Sequence, residues 1–328
     1  MIPPVLRRGG HQSSDRSVFV FPGQGSQFTG MGRDLYDQSP AARAVFDQAN
    51  EVLGTDIARL CFEGAEDELE LTSNAQPSIL TVSVACLAAL RERAAVMGRR
   101  LTPSFVAGHS MGEYSALVAA DVLDFADALH LVRERGRLME ESGTVSPGGQ
   151  AAVIGLDAIT LEAVVRKARE LGEIGMACIN SPLQTVISGE IGALVRAMEL
   201  AKEAGARRVA RLKISIASHS PLMQQAANQL SERISHIHLR EPHIPIVANI
   251  TGQVLNTAAE IKRELSDQLC KPVQWTRSVL EMTSQGGHTF VEMGPGQVLS
   301  GLIKRIDGSV QAVTYREVDV RAISTPVT

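Results

Sequence analysis

Three observations predict an α/β fold, with a large domain built on a mostly parallel sheet and a small inserted subdomain. Short runs rich in Val, Ile and Phe alternate with stretches of helical periodicity. Glycine-rich turns follow several of those runs directly, at the strand ends where an open α/β sheet gathers its ligands. Between residues 149 and 216 the rhythm becomes strand, helix, strand, strand, helix, strand, which is the ferredoxin-like unit. At 328 residues the chain is long enough to hold both parts. The expected division is a loose N-terminal arm over 1–17, the large α/β domain over 18–148 and 217–328, and the ferredoxin-like subdomain over 149–216.

Val18, Phe19, Val20 and Phe21 form a β-prone run that stops at Pro22, and Gly23-Gln24-Gly25 follows as a loop. Gln24 therefore stands at the carboxyl end of the first strand, either facing a ligand or simply solvated. Ser39-Pro40 supplies an N-cap with proline at the first helical position, and the helix it opens runs to Gly54. A second helix is expected from Pro77 to Gly98, apolar on several faces and so packed against the sheet.

Residues 105–107 read as a buried strand and 113–120 as a helix, with Gly108-His109-Ser110-Met111-Gly112 between them. G-x-S-x-G at such a junction is a nucleophile elbow. Its glycines let backbone crowd against backbone, which leaves Ser110 exposed at a helix N-terminus as a candidate nucleophile. On this ground the large domain is α/β-hydrolase-like.

Asp124 opens the next helix, on which Ala128, Leu131, Val132, Leu138 and Met139 form one stripe with Arg135 in its middle. A guanidinium there must snorkel or find an anion, because an unpaired buried charge is expensive. Two partners fit: an internal Asp or Glu, or a substrate carboxylate gripped by the planar fork.

Past Pro147-Gly148-Gly149, strands are expected over 151–156, 176–179, 185–188 and 209–216, with helices over 160–171 and 191–204. The chain returns through Ser218-His219 to Ser220-Pro221, the start of a helix that buries Met223, Ala226, Ala227, Leu230 and Ile234. His219 follows the serine in chain order, as α/β-hydrolase logic requires, although a solvated loop histidine is the plainer alternative. His236, His238 and His243 read as surface, since they lack a third ligand at metal spacing. A strand over 244–250, a helix opened by 272–275, a strand over 289–291 and one near 310–313 complete the pattern. The strand over 289–291 delivers Glu292-Met293-Gly294-Pro295-Gly296 to the same sheet edge, and the tail carries no strong signal.

Composition narrows the class. The net charge of -4, with Lys and Arg scattered, argues against a nucleic-acid footprint and a polybasic membrane patch. No apolar run reaches membrane-spanning length, and the first 17 residues have no apolar h-region. Cys61, Cys86, Cys178 and Cys270 lie far apart without a C-x-x-C pair, as reduced thiols would. A cytoplasmic protein is expected.

Five motifs stand in order: Phe21-Pro22-Gly23-Gln24-Gly25-Ser26-Gln27, Gly108-His109-Ser110-Met111-Gly112-Glu113, Arg135-Gly136, Ser218-His219 and Glu292-Met293-Gly294-Pro295-Gly296. With these the sequence resembles the malonyl-CoA:acyl carrier protein transacylases, relatives of the acyltransferase domains of polyketide synthases, from about residue 18 to about residue 307. The resemblance implies that Ser110 accepts the acyl group and His219 is its general base, in a ping-pong reaction. It implies that the backbone N–H groups of Gln24 and Met111 receive the oxyanion, so the identity of Met111 matters little. It gives Arg135 the malonyl carboxylate, and it gives the backbone carbonyl of Gln268 the task of orienting His219, which makes the pair a dyad.

The donor so implied is malonyl-CoA and the acceptor is the phosphopantetheine thiol of an acyl carrier protein, with no metal or bound cofactor and a monomeric enzyme. The alternatives are an acyl hydrolase or thioesterase acting on carrier proteins, a methylmalonyl-selective acyltransferase with room beside the small Ser218, and a non-catalytic docking partner. Arg135 argues against the hydrolase, and the joint presence of serine, histidine and arginine argues against the docking partner.

Overall fold

The computed structural model describes residues 16–327. Six strands form the larger sheet, in the spatial order Gln311–Thr314, Gly287–Glu292, Arg16–Phe21, Phe105–Gly108, Ile246–Val247 and Val254–Leu255. Neighbours are parallel except for the last pair. Side chains alternate across this sheet with the period of two expected of a strand. Phe19, Phe21, Val106 and Val291 face a core shared with the helices Pro40–Leu53, Thr72–Val96 and Phe125–Val145. Val18, Val20, Phe105 and Phe290 face the opposite way, toward Trp275, Val279 and Leu302. Both faces are covered, which is why these strands read as continuous apolar runs.

Register decides where the chemistry lies. Phe21 pairs with Gly108, so the loops after the two central strands leave the sheet side by side. Contact between them is so close that an added Cβ at Gly112 would come within 2.1 Å of the Phe21 carbonyl oxygen, and one at Gly23 within 2.4 Å of the His109 oxygen. Glycine is required at both positions.

The inserted chain forms a second, antiparallel sheet in the order Ile174–Ser181, Gln184–Glu190, Gly148–Ile154 and Arg208–Arg211. Numbered along the insertion this is 2-3-1-4, the ferredoxin-like arrangement. The helices Ala158–Ala168 and Ile191–Glu203 enclose with it a core of Leu161, Val165, Ile187, Leu194 and Ala197. Its edge strand is stitched to the large domain by Ile179 N–H donating to Val273 O and Val273 N–H donating to Ala177 O, each at 2.8 Å. The seam between the two sheets therefore runs past Asn180, which faces the elbow.

Several elements differ from expectation. Arg16 and Ser17, placed in the arm, open the first strand, while the rest of the arm lies outside the described residues. The helix expected from Pro77 starts at Thr72, because Glu140 of a neighbouring helix accepts from Ser73 N–H at 2.9 Å and caps it from outside. The helix read over 160–171 spans Ala158–Ala168 and tightens into a 3₁₀ turn at Arg169–Leu171. The strand read over 209–216 ends at Arg211, and the one read over 244–250 shrinks to Ile246–Val247. In the tail, Ser324–Pro326 pairs antiparallel with Arg99–Leu101. Among the described residues no helix is long and apolar enough to cross a membrane.

Candidate active site

Ser110 follows the strand Phe105–Gly108 and precedes the helix Gly112–Ala119, with φ of 53°. A left-handed backbone is uncommon for a residue with a Cβ and persists only where its surroundings over-determine it. Here Asn249 does so from 139 residues away: its Oδ1 accepts from Ser110 N–H at 2.7 Å and its Nδ2 donates to Gly108 O at 2.8 Å. An added Cβ at Gly108 would come within 1.9 Å of Gly112, so the turn closes only without one.

His219 also has a left-handed backbone, with φ of 59°, in the loop before the 3₁₀ turn Pro221–Met223. Its Nε2 lies 2.8 Å from Ser110 Oγ. Its Nδ1 lies 2.9 Å from Gln268 O and 3.1 Å from Lys271 O. Two carbonyls can only accept, so Nδ1 carries the proton and Nε2 is left as the acceptor facing the serine. Burial, then the charge of Arg135, pushes the His219 pKa down to about 3, so the ring is neutral and its Nε2 lone pair is unprotonated.

Arg135 reaches the same point from the helix Phe125–Val145 and is 1% exposed. Gly136 beside it lets that helix cross the start of Thr72–Val96, since an added Cβ would lie 2.6 Å from Thr72 O. One terminal nitrogen, Nη2, donates to Ser110 Oγ at 3.1 Å and to Gln268 Oε1 at 3.0 Å. The other, Nη1, donates to Gln76 Oε1 at 2.9 Å and to Met139 Sδ at 3.4 Å. Its Nε has no partner. Among the described residues no carboxylate lies within ion-pair range of this guanidinium, so the internal salt bridge left open by the helix stripe is absent. Burial lowers its pKa, yet a guanidinium stays charged in a protein. The site therefore holds one buried positive charge ringed by neutral acceptors.

Gln24 lies half-buried beside Gly23, on the wall of a cleft of about 580 Å³ whose other side includes Leu212, Lys213, Ile214 and Ile216. Its Nε2 donates to Thr72 Oγ1 at 3.1 Å. Met111 is fully buried. Among the described residues neither the Gln24 nor the Met111 backbone N–H meets an acceptor, whereas that of Ser110 is taken by Asn249. His109 Nε2–H donates to Asn180 Oδ1 at 2.7 Å, and the ring meets that of Trp275 edge-on.

A hydroxyl held against a neutral imidazole, two free backbone donors, and a fixed cation without an anion together suit acyl transfer to serine from a negatively charged acyl group. The acyl transferase domain family matches residues 18–318. The chain belongs to that family. The malonyl CoA-acyl carrier protein transacylase of Bacillus subtilis (strain 168) is 44% identical over 301 residues, 92% of this chain and 93% of the relative. Among solved structures, an acyl-carrier-protein S-malonyltransferase from Burkholderia pseudomallei 1710b superposes with a TM-score of 0.88 at 40% identity, covering 92% of this chain and 96% of that one. A second, described as a type II PKS acyl-carrier protein in complex with its malonyl-transacylase, gives a TM-score of 0.86 at 39% identity over 91% and 95% of the two chains.

In this acyl transferase the sequence-expected Ser110, His219, Arg135 and Gln268 meet directly. His236, His238 and His243 are exposed, and among the described residues no group of three or more His, Cys, Asp or Glu could hold a metal ion. The motifs did not single out Asn249, Gln76 or the side chain of Gln268. Nor was Glu113, quoted as the end of the elbow motif, given any task. Each acts through bonds to residues far away in the chain, so local patterning carries no signal for them.

Proposed function

We infer that this chain is a malonyl-CoA:acyl carrier protein transacylase, which moves a malonyl group from CoA to the phosphopantetheine thiol of an acyl carrier protein. In the first half-reaction Ser110 Oγ attacks the thioester carbonyl while His219 Nε2 takes its proton. Negative charge develops on the carbonyl oxygen, where the free N–H groups of Gln24 and Met111 can receive it. The imidazolium is stabilised by the two carbonyls on Nδ1, and it returns its proton to the departing CoA sulfur. In the second half-reaction His219 takes the proton of the carrier thiol, the thiolate sulfur attacks the seryl ester, and the proton goes back to Ser110. Neither half needs a bound cofactor, since both acyl carriers arrive as substrates.

The observation that carries the carboxylated substrate is Arg135, a buried charge 3.1 Å from the reacting oxygen with no carboxylate in ion-pair range among the described residues. A charge-assisted bidentate pair contributes about 1.5–3 kcal/mol, which corresponds to about 10- to 150-fold in rate or affinity. Arg135→Ala is therefore expected to lower loading from malonyl-CoA by about that factor, while loading from acetyl-CoA, which has no carboxylate to lose, is unchanged or improved. Mass detection of the acylated protein reads both. An equal loss for the two donors would make the arginine structural.

A further inference from the structure

Glu113 comes directly after the elbow and is 1% exposed. Its Oε1 accepts from Asn249 N–H at 3.2 Å, and its Oε2 accepts from Gln268 Nε2. Burial, together with the nearby Glu264, raises its pKa well above the usual carboxylate range. A fold keeps so costly a group only where its bonds compensate. The mechanism above gives Glu113 nothing to do.

Its bond to Gln268 has a consequence one residue further on. A primary amide presents one oxygen that accepts and one NH2 that donates. At Gln268 the NH2 faces two oxygens, Ser110 O at 3.0 Å and Glu113 Oε2, while the amide oxygen faces Arg135 Nη2 at 3.0 Å. Turned over, the amide would set donor against donor at Arg135 and oxygen against oxygen at Ser110 and at the ionised Glu113. We propose that Glu113 is a positioning residue that fixes the Gln268 amide, so that Arg135 meets the acyl carboxylate backed by a neutral oxygen instead of a counter-charge. The inference rests on the reading of Arg135 as the holder of that carboxylate.

The arrangement separates two demands. Arg135 needs an acceptor to hold its fork in place, but a carboxylate in contact with it would occupy the substrate's position. Gln268 stands between them and transmits the orientation without the charge. Glu264 neighbours Glu113 but bonds elsewhere: it accepts from Ile250 N–H at 2.8 Å and meets the Asn249 backbone, and among the described residues it makes no bond to Gln268 or Arg135.

Glu113→Gln tests the inference with little change of shape. The backbone N–H of Asn249 cannot turn, so the new amide must offer it the oxygen and point its NH2 at Gln268. Gln268 then either turns over or loses the bond. The expected result is a rise of about tenfold in KM for malonyl-CoA, as for a lost hydrogen bond to a charged group, with kcat/KM for acetyl-CoA within about twofold of the parent. Glu264→Gln should leave the malonyl-to-acetyl ratio unchanged. An equal loss for both donors in Glu113→Gln, an unaltered ratio, or the same shift in Glu264→Gln would overturn the proposal.

If Glu113→Gln does not fold, Gln268→Glu decides, since it sets a carboxylate against Arg135. The malonyl-to-acetyl loading ratio should collapse, and a retained ratio would overturn the proposal. Arg135→Ala separates the two layers. Uniform loss in that variant sinks the reading of Arg135, whereas malonyl-selective loss in Arg135→Ala without selectivity in Glu113→Gln sinks only the role of Glu113.

Discussion

The inserted subdomain and the carboxyl end of the parallel sheet bury side chains equally well, but they bury different kinds. Between the antiparallel sheet and its helices lie Leu161, Val165, Ile187 and Leu194. At the end of the parallel sheet lie Glu113, Arg135, His219, Asn249, Glu264 and Gln268, all buried and hydrogen-bonded. Two residues there, Ser110 and His219, also hold left-handed backbones, at about 1–3 kcal/mol each. One region contributes stability, and the other spends part of it on fixing polar groups in place. Chemistry and folding strength are thus separated in space, and mutations should affect them separately.

The sharpest test is Ser110→Ala. Covalent loading should vanish altogether, while the melting temperature stays within a few degrees, because the hydroxyl contributes only its bonds to His219 and Arg135 and alanine meets the same backbone strain. A malonyl adduct on this variant, seen by intact mass, would remove Ser110 from its role.

Next in size is His219→Ala, which should slow both half-reactions by about 10² to 10⁴, the usual span for a lost general base. Stopped-flow loading from malonyl-CoA and transfer to carrier protein should fall together. A defect in transfer alone would move His219 to the docking surface.

Leu161→Ala probes the other side of the comparison. A cavity there should destabilise the protein by about 2–5 kcal/mol in urea unfolding, yet leave the malonyl-to-acetyl ratio of the folded protein unchanged. A shifted ratio would show that the subdomain shapes the acyl pocket, and the separation would fail.

The smallest effect is in pH. The His219 pKa of about 3 lies below its ordinary value of 6.5, so activity that needs the neutral ring should change less than about twofold between pH 8 and pH 5. Between about pH 3 and pH 6.5 the unfolded chain binds more protons at this group than the folded one, so its contribution to stability falls as pH drops from about 6.5 toward about 3. An acid limb centred near 6.5 in kcat/KM would mean that the histidine is wet in the working enzyme.

The sequence made legible whatever is local. The elbow, the stripe bearing Arg135 and the order of serine before histidine are visible because a turn, a helical period and chain order are short-range facts. The strand over 244–250 is shorter than its apolar run for a long-range reason: Asn249 N–H and Ile250 N–H are claimed by Glu113 and Glu264, so the backbone leaves the sheet after Val247. The helix from Thr72 starts earlier than local signals suggest because its cap, Glu140, lies on another helix. Gln268 was found only through its carbonyl, since its side-chain partners, Ser110, Glu113 and Arg135, sit more than a hundred residues away.

The positive φ at Ser110 restricts which nucleophiles this scaffold can ever use. Threonine offers the same hydroxyl, but its branched Cβ makes a left-handed turn a genuine outlier, so a secondary alcohol is barred by backbone sterics before reactivity is considered. Cysteine has an unbranched Cβ and fits the same turn. Drift or selection at position 110 can therefore exchange oxygen for sulfur more easily than it can add a methyl group, and a thiol there would replace the ester stage by thioester exchange from start to finish.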